Sequence, residues 1–157
     1  MSELKRTILY QAHLDAGATM VDFGGWDMPI QYPEGIIAEH LYCRRHCGIF
    51  DVSHMGRIDV EGPDQVAFLQ HVLSSNVLAL DLNQAQYCII PDANGYAIDD
   101  AYLYRFEEGK YFLVINAGNI DKDWAHLMNE AKNFDVKLTN VSDKYAAIAV
   151  QGPESKK

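Results

Sequence analysis

The sequence predicts a mixed α+β fold in which helices pack on a largely antiparallel sheet. Three observations lead there. Residues 85–116, AQYCIIPDANGYAIDDAYLYRFEEGKYFLVIN, are rich in β-branched and aromatic residues, and two turn signals, Asp92-Ala93-Asn94-Gly95 and Glu107-Glu108-Gly109-Lys110, divide them into three strands in series. Apolar residues recur at helical spacing on both sides of that stretch, in Val66, Leu69 and Leu73 and again in Ile120, Trp124, Leu127 and Ala131. Finally, 157 residues of which 48% are hydrophobic suffice to bury one core, so a single domain is expected.

Taken in order, Thr7 offers an N-cap for a short helix through Ile8, Leu9, Ala12 and Ala16, closed by Gly17. Ala18 to Phe23 reads as a strand. Gly24-Gly25, Trp26, Met28-Pro29 and Tyr32-Pro33 then mark an irregular crossing. Pro33 to Cys47 reads as a helix, with Glu34 at its positive end, Arg44 and Arg45 at its negative end, and Gly48 as its stop. Residues 49–56 lead into a strand over Arg57 to Glu61. Gly62-Pro63-Asp64 starts the helix of Val66, Phe68, Leu69, Val72 and Leu73. Asn76 to Gln84 connects to the three strands, and Ala117-Gly118-Asn119 opens the next helix. Strands over Phe134 to Thr139 and Lys144 to Gln151 complete the chain, the second ended by Gly152-Pro153.

Charge and cysteine usage exclude several classes. A net charge of -9 from 22 acidic and 13 basic residues repels phosphate backbones and anionic lipid, and the basic pairs Lys5-Arg6, Arg44-Arg45 and Lys156-Lys157 are too scattered to form a footprint. Neither nucleic acid nor membrane is an expected partner. No run approaches the roughly 18 apolar residues of a membrane span, and the first twenty residues lack a hydrophobic signal core. Three cysteines, Cys43, Cys47 and Cys88, form an odd set without disulfide spacing, which fits a reducing cytoplasm. His40, Cys43 and Cys47 share one helical face, with His46 and His54 nearby. So many ligands along one helix reach a common ion poorly, and small cysteines are ordinary core fillers, so no metal is expected.

The middle strand carries two adjacent carboxylates, Asp99 and Asp100. Alternation puts Ile98, Asp100, Tyr102 and Tyr104 on one face and Asp99, Ala101, Leu103 and Arg105 on the other. Asp is depleted in strands. Asp100 therefore belongs to a solvated outer face, to an ion pair in the neighbourhood of Arg105, or to a sheltered wall where it anchors a flat hydrogen-bonding ligand stacked on the tyrosines.

Five phrases occur in one order: MVDFGGWDMPIQYP at 20–33, GIFDVSHMG at 48–56, GYAIDDAYLYR at 95–105, INAGNIDKDW at 115–124 and AVQGP at 149–153. With them the chain resembles, from about Leu4 to Pro153, the N-terminal part of the glycine cleavage system T-protein family of tetrahydrofolate-dependent aminomethyltransferases. The resemblance implies that residues 1–157 are the N-terminal portion of that family's folate-binding domain. It implies a reaction in which an aminomethyl group arrives on the lipoyl arm of a carrier, the H-protein, ammonia leaves, and the one-carbon unit passes to N5 of tetrahydrofolate.

The family's essential carboxylate is the second Asp of its I-D-D phrase, here Asp100, a group suited to acid-base and electrostatic work. The folate-lining positions correspond to Met55, Tyr87, Asp100, Tyr104, Ile115 and Asn116; Tyr104, four strand residues from Asp100, lies about 13 Å along a long ligand. Asp99 is assigned a structural role. Where the family carries two glycines before I-D-D, this chain reads Gly95-Tyr96-Ala97. Family members continue for over twice this length, which implies an incomplete pocket, little transferase activity for these residues alone, and self-association through apolar surface. Two other readings share parts of the pattern: a folate-binding accessory protein of iron-sulfur enzyme maintenance, and the folate domain of a sarcosine or dimethylglycine oxidase.

Overall fold

The computed structural model describes residues 3–157. Its elements in chain order are α1 (Tyr10–Asp15), β1 (Thr19–Phe23), β2 (Trp26–Gln31), α2 (Ile36–Arg45), β3 (Gly48–Asp51), β4 (Gly56–Glu61), α3 (Gln65–Val72), β5 (Gln84–Pro91), β6 (Ala97–Glu107), β7 (Lys110–Ile115), α4 (Ile120–Glu130), β8 (Lys137–Asn140) and β9 (Ile148–Gln151), with short 3-10 turns at Val77–Ala79, Ala117–Asn119 and Ala131–Asn133. They gather into two compact units, one made of the chain up to His54 together with Asp143–Lys157, the other of Met55–Ser142. Length and composition do not anticipate that division.

The second unit holds a five-stranded sheet of order β5-β6-β7-β4-β8, with every neighbouring pair antiparallel. The expected strand trio is its main part. Cys88, Ile90, Ala101, Leu103, Tyr111, Leu113, Ile115, Ile58 and Val60 are buried on one face, where Phe68, Leu69 and Val72 of α3 and Leu127 of α4 complete the core. Asp92 closes the β5–β6 turn by accepting from the backbone N–H of Asn94 (2.8 Å) and Tyr96 (2.9 Å). Gly95 alone takes the positive φ there, 85°, and Tyr96 projects into solvent, so the absent second glycine leaves the strand intact.

In the first unit the expected irregular crossing is instead a hairpin. Gly24 and Gly25 both have positive φ, 60° and 87°, the requirement of a type I′ turn. Asp22 accepts from the Gly25 N–H at 2.8 Å, and β1 pairs with β2 from Phe23↔Trp26 outward. Pro29 is tolerated because a two-stranded ribbon has free edges and a bulge lies next to its partner. The helix expected from Pro33 starts later, at Ile36, because Tyr32-Pro33-Glu34-Gly35 forms a β-turn closed by the Gly35 N–H on the Tyr32 carbonyl at 2.9 Å. β3 pairs antiparallel with β9 in a separate ribbon. The final strand forms over Ile148–Gln151 only, shorter than expected.

Asp51 ties this unit together. Its Oδ2 accepts from the Thr7 hydroxyl (2.7 Å) and from His13 Nε2 (3.0 Å), and its Oδ1 accepts from the Ser53 N–H (2.8 Å). With Nε2–H directed at the carboxylate, His13 Nδ1 accepts from the Tyr32 hydroxyl at 2.8 Å. Thr7 is thereby drawn into a tertiary contact, and α1 starts only at Tyr10. Burial alone would raise the Asp51 carboxyl, but the hydrogen bonds from Ser53, His13 and Thr7 hold it below its usual range. A depressed folded value stabilises the native state above the unfolded Asp value, near 4, and that stability is lost as pH falls through the folded value. The urea midpoint should therefore drop on acidification, and Asp51→Asn should lower the neutral-pH midpoint while flattening the acid limb. An acid limb unchanged in Asp51→Asn would contradict this role.

Candidate functional site at the Asp100 end of the sheet

Gly56 pairs with Ile115, and Ile115 with Ala101. One step further along each strand, Met55 just before β4, Asn116 just after β7 and Asp100, the fourth residue of β6, form a row across these three strands. Sequence reading had placed all three in one site, and pairing register brings them together.

Asp99 and Asp100 leave β6 on opposite faces, yet one side chain joins them. The Asn116 amide Nδ2 lies 3.0 Å from Asp99 Oδ1, 2.9 Å from Asp100 Oδ1 and 3.2 Å from the Asp100 carbonyl. A primary amide has two N–H groups, so these bonds are shared, and the amide spans the edge of the sheet. On the open face the Tyr87 hydroxyl donates to Asp100; burial, the Asp100 charge and this bond together raise the phenol's pKa. Asp100 is half-buried and held by groups from β5 and from the end of β7.

From Asp100 an aromatic row runs outward along the same face. Tyr87 and Tyr102 are cross-strand partners with ring centroids 5.6 Å apart; Tyr102 and Tyr104 follow at 6.0 Å, and Tyr104 stacks on Phe106 at 5.3 Å. This face carries no helix of its own unit. Ile115, expected among the ligand-lining residues, instead buries its side chain in the core at 1% exposure, leaving only its backbone at the site. The reason is parity: it shares the inward face of β7 with Tyr111 and Leu113.

Beneath the sheet Asp99 is not a bystander. Its Oδ2 accepts from the Asn119 amide at 3.0 Å. Burial would raise its carboxyl, but hydrogen bonds from Asp123, Asn116 and Asn119 hold it below the ordinary range. Asn119 and Asp123 escaped the sequence reading, as did the extension of the aromatic row to Phe106. Their signal was present in INAGNIDKDW, where Asn119 and Asp123 are four apart and so share a helical face; an Asp in a first turn reads as a dipole complement rather than as a buried group.

Residues 9–157 match the family described as the GCVT N-terminal domain. The chain belongs to that family. This GCVT N-terminal domain is 53% identical over 152 residues to an aminomethyltransferase of Deinococcus deserti, covering 97% of this chain and 42% of that protein. It is 45% identical over 157 residues to an aminomethyltransferase of Desulfitobacterium hafniense, covering all of this chain and 43% of that one. Among solved structures, it superposes on the glycine cleavage system aminomethyltransferase T of Bartonella henselae with a TM-score of 0.91 and 39% identity, over 97% of this chain and 42% of that one. The chain thus spans less than half the length of these relatives.

A concavity of about 620 Å³ lies in the first unit, where α2, β2 and β3 contribute apolar walls such as Ile30, Ile36, Ile49 and Phe50. Glu34, Glu39, His40 and Arg44 add polar groups to its lining. Among the described residues, no group of three or more His, Cys, Asp or Glu side chains is arranged to hold a metal. Cys43 Sγ approaches the Gln151 carbonyl at 3.7 Å, His46 packs on Tyr42, and His54 lies edge-on to Phe23 and Trp26. No helix among the described residues is long and apolar enough to cross a membrane.

Proposed function

We propose that this chain supplies the Asp100 wall of a tetrahydrofolate-dependent aminomethyltransferase of the glycine cleavage type. The observation that carries the reading is the Asp100 carboxylate, held by Asn116 and Tyr87 at the head of an aromatic row on an open sheet face. The donor set fits a flat, N–H-rich heterocycle: a carboxylate accepts from ring or exocyclic N–H groups, an amide both donates and accepts, and aromatic faces stack. When bound, tetrahydrofolate supplies the nucleophilic nitrogen that takes up the one-carbon unit.

Asp100 then orients the ligand's N–H groups and exchanges a proton with them, while its negative charge stabilises positive charge developing nearby. Asn116 fixes the carboxylate's rotamer, Met55 lends a polarizable edge, and Tyr104 lines the more distant part of the ligand. The aminomethyl group would arrive on the lipoyl arm of a carrier H-protein. Relatives named as aminomethyltransferases support the transferase reading over the accessory and oxidase-domain alternatives.

Nuclear magnetic resonance mapping tests the placement even where affinity is weak. Titration with tetrahydrofolate should shift the Asn116 side-chain amide and the Tyr87 and Tyr102 ring signals together. Perturbation confined to the concavity beside α2 would overturn the assignment.

A further inference from the structure

We propose that Asp123 is a positioning residue for Asp100: a neutral carboxylic acid sealed beneath the sheet, whose O–H donates to Asp99 and so steadies the Asn116 amide that orients Asp100. The inference deepens the reading of Asp100 as the site carboxylate and rests on it for its functional meaning. The location of the proton does not depend on that reading.

The geometry begins with burial. Asp123 stands in the first turn of α4 with no solvent exposure. As a carboxylate it would have no hydrogen-bond partner on either oxygen. The Lys122 ammonium is 3.9 Å from Asp123 Oδ1 and donates instead to the Ile98 carbonyl at 2.8 Å. A buried anion so poorly matched is costly. What Asp123 does meet is Asp99, and two carboxyl groups can bond to one another only when one of them carries a proton.

The surroundings decide which one. Asp99 accepts from two amides, Asn116 and Asn119, each at 3.0 Å, and these donors stabilise an anion. Asp123 has no such donor, so the proton resides on Asp123. The electrostatics agree: burial first, then the hydrogen bond to Asp99 and its charge, push Asp123 up to about 7, with Asp100 adding and Lys122 opposing. Further along α4, Glu130 is engaged with His71 at 2.9 Å. The chain of contacts therefore runs Asp123, Asp99, Asn116, Asp100, from the underside of the sheet to its open face.

The sign of the pH dependence follows. A carboxyl raised above its unfolded value of about 4 contributes stability that is complete below that value and is lost as pH climbs toward the folded value. Above it, two anions face each other and the support beneath Asn116 weakens.

Two variants separate the possibilities. Asp123→Asn keeps a donor of the same shape but cannot ionise; Asp123→Ala removes the donor. In the 157-residue chain, the Asp123 side-chain carboxyl carbon, followed by ¹³C resonance, should titrate near 7 rather than near 4. The urea midpoint should fall as pH rises between about 5 and 8 in the parent and stay flatter in Asp123→Asn. The Asn116 amide signal should hold its position in Asp123→Asn and move in Asp123→Ala. A carboxyl midpoint near 4, or the same pH dependence in parent and Asp123→Asn, overturns the proton placement. If Asp123→Ala does not fold, the carboxyl titration and the Asn variant still decide. None of these readouts involves folate, so failure of the folate reading leaves them intact. If they hold, yet Asp123→Asn at pH 8 matches the parent in the response of Asn116 and Tyr87 to tetrahydrofolate, the positioning role is overturned by itself.

Discussion

Asp100→Asn, carried in a chain of the relatives' full length, lowers aminomethyl transfer to tetrahydrofolate by roughly 10²–10⁴-fold, the usual worth of a positioned acid-base group. The substitution preserves size and shape. Its amide oxygen still accepts from Asn116, and the Tyr87 hydroxyl can accept from the new amide N–H, so the backbone pairing of Asp100 with Ile89 is undisturbed. What disappears is the negative charge and the capacity to exchange a proton. The expected pattern is an activity loss with a nearly unchanged urea midpoint. A variant that folds and transfers at the parent rate would remove Asp100 from the chemistry, and with it the proposed function.

Phe68→Ala costs about 3–5 kcal/mol of stability. The side chain has no solvent exposure and packs edge-on against Phe134 at 5.7 Å, within the single cluster that joins α3 to the sheet. Removing the ring leaves a cavity in a core that supports β6, so the loss combines transfer and cavity terms. Urea denaturation followed by circular dichroism measures it. A change below about 1 kcal/mol would show that α3 does not pack where it is placed.

Much of the second unit was legible because local signals and tertiary demands agree there. The runs 85–91 and 110–115 are rich in β-branched and aromatic residues, and Asp92 to Gly95 can hardly be anything but a turn, so β5, β6 and β7 emerge from composition and turn signals. The first unit was less legible. Gly24-Gly25 closes a hairpin only because both residues take positive φ, and Pro33 belongs to a turn rather than a helix because the Gly35 N–H reaches Tyr32. Both choices depend on backbone conformation, which composition signals only weakly.

At the site the division is similar. Strand parity, readable from residue order, already sent Asp99 and Asp100 to opposite faces and set Asp100 among tyrosines. Parity also told against the Ile115 side chain, although the resemblance had enlisted it. By itself the sequence determined the α+β class, the antiparallel trio and the face on which Asp100 lies, because strand-forming residues divided by short turns, helical spacing and side-chain alternation along a strand are all local signals. Only the tertiary structure decided that Asn116 bridges the two carboxylates and that Asp123 lies dry against Asp99. Those contacts link residues 16 to 24 positions apart, and burial and charge coupling act through space, where no local pattern records them.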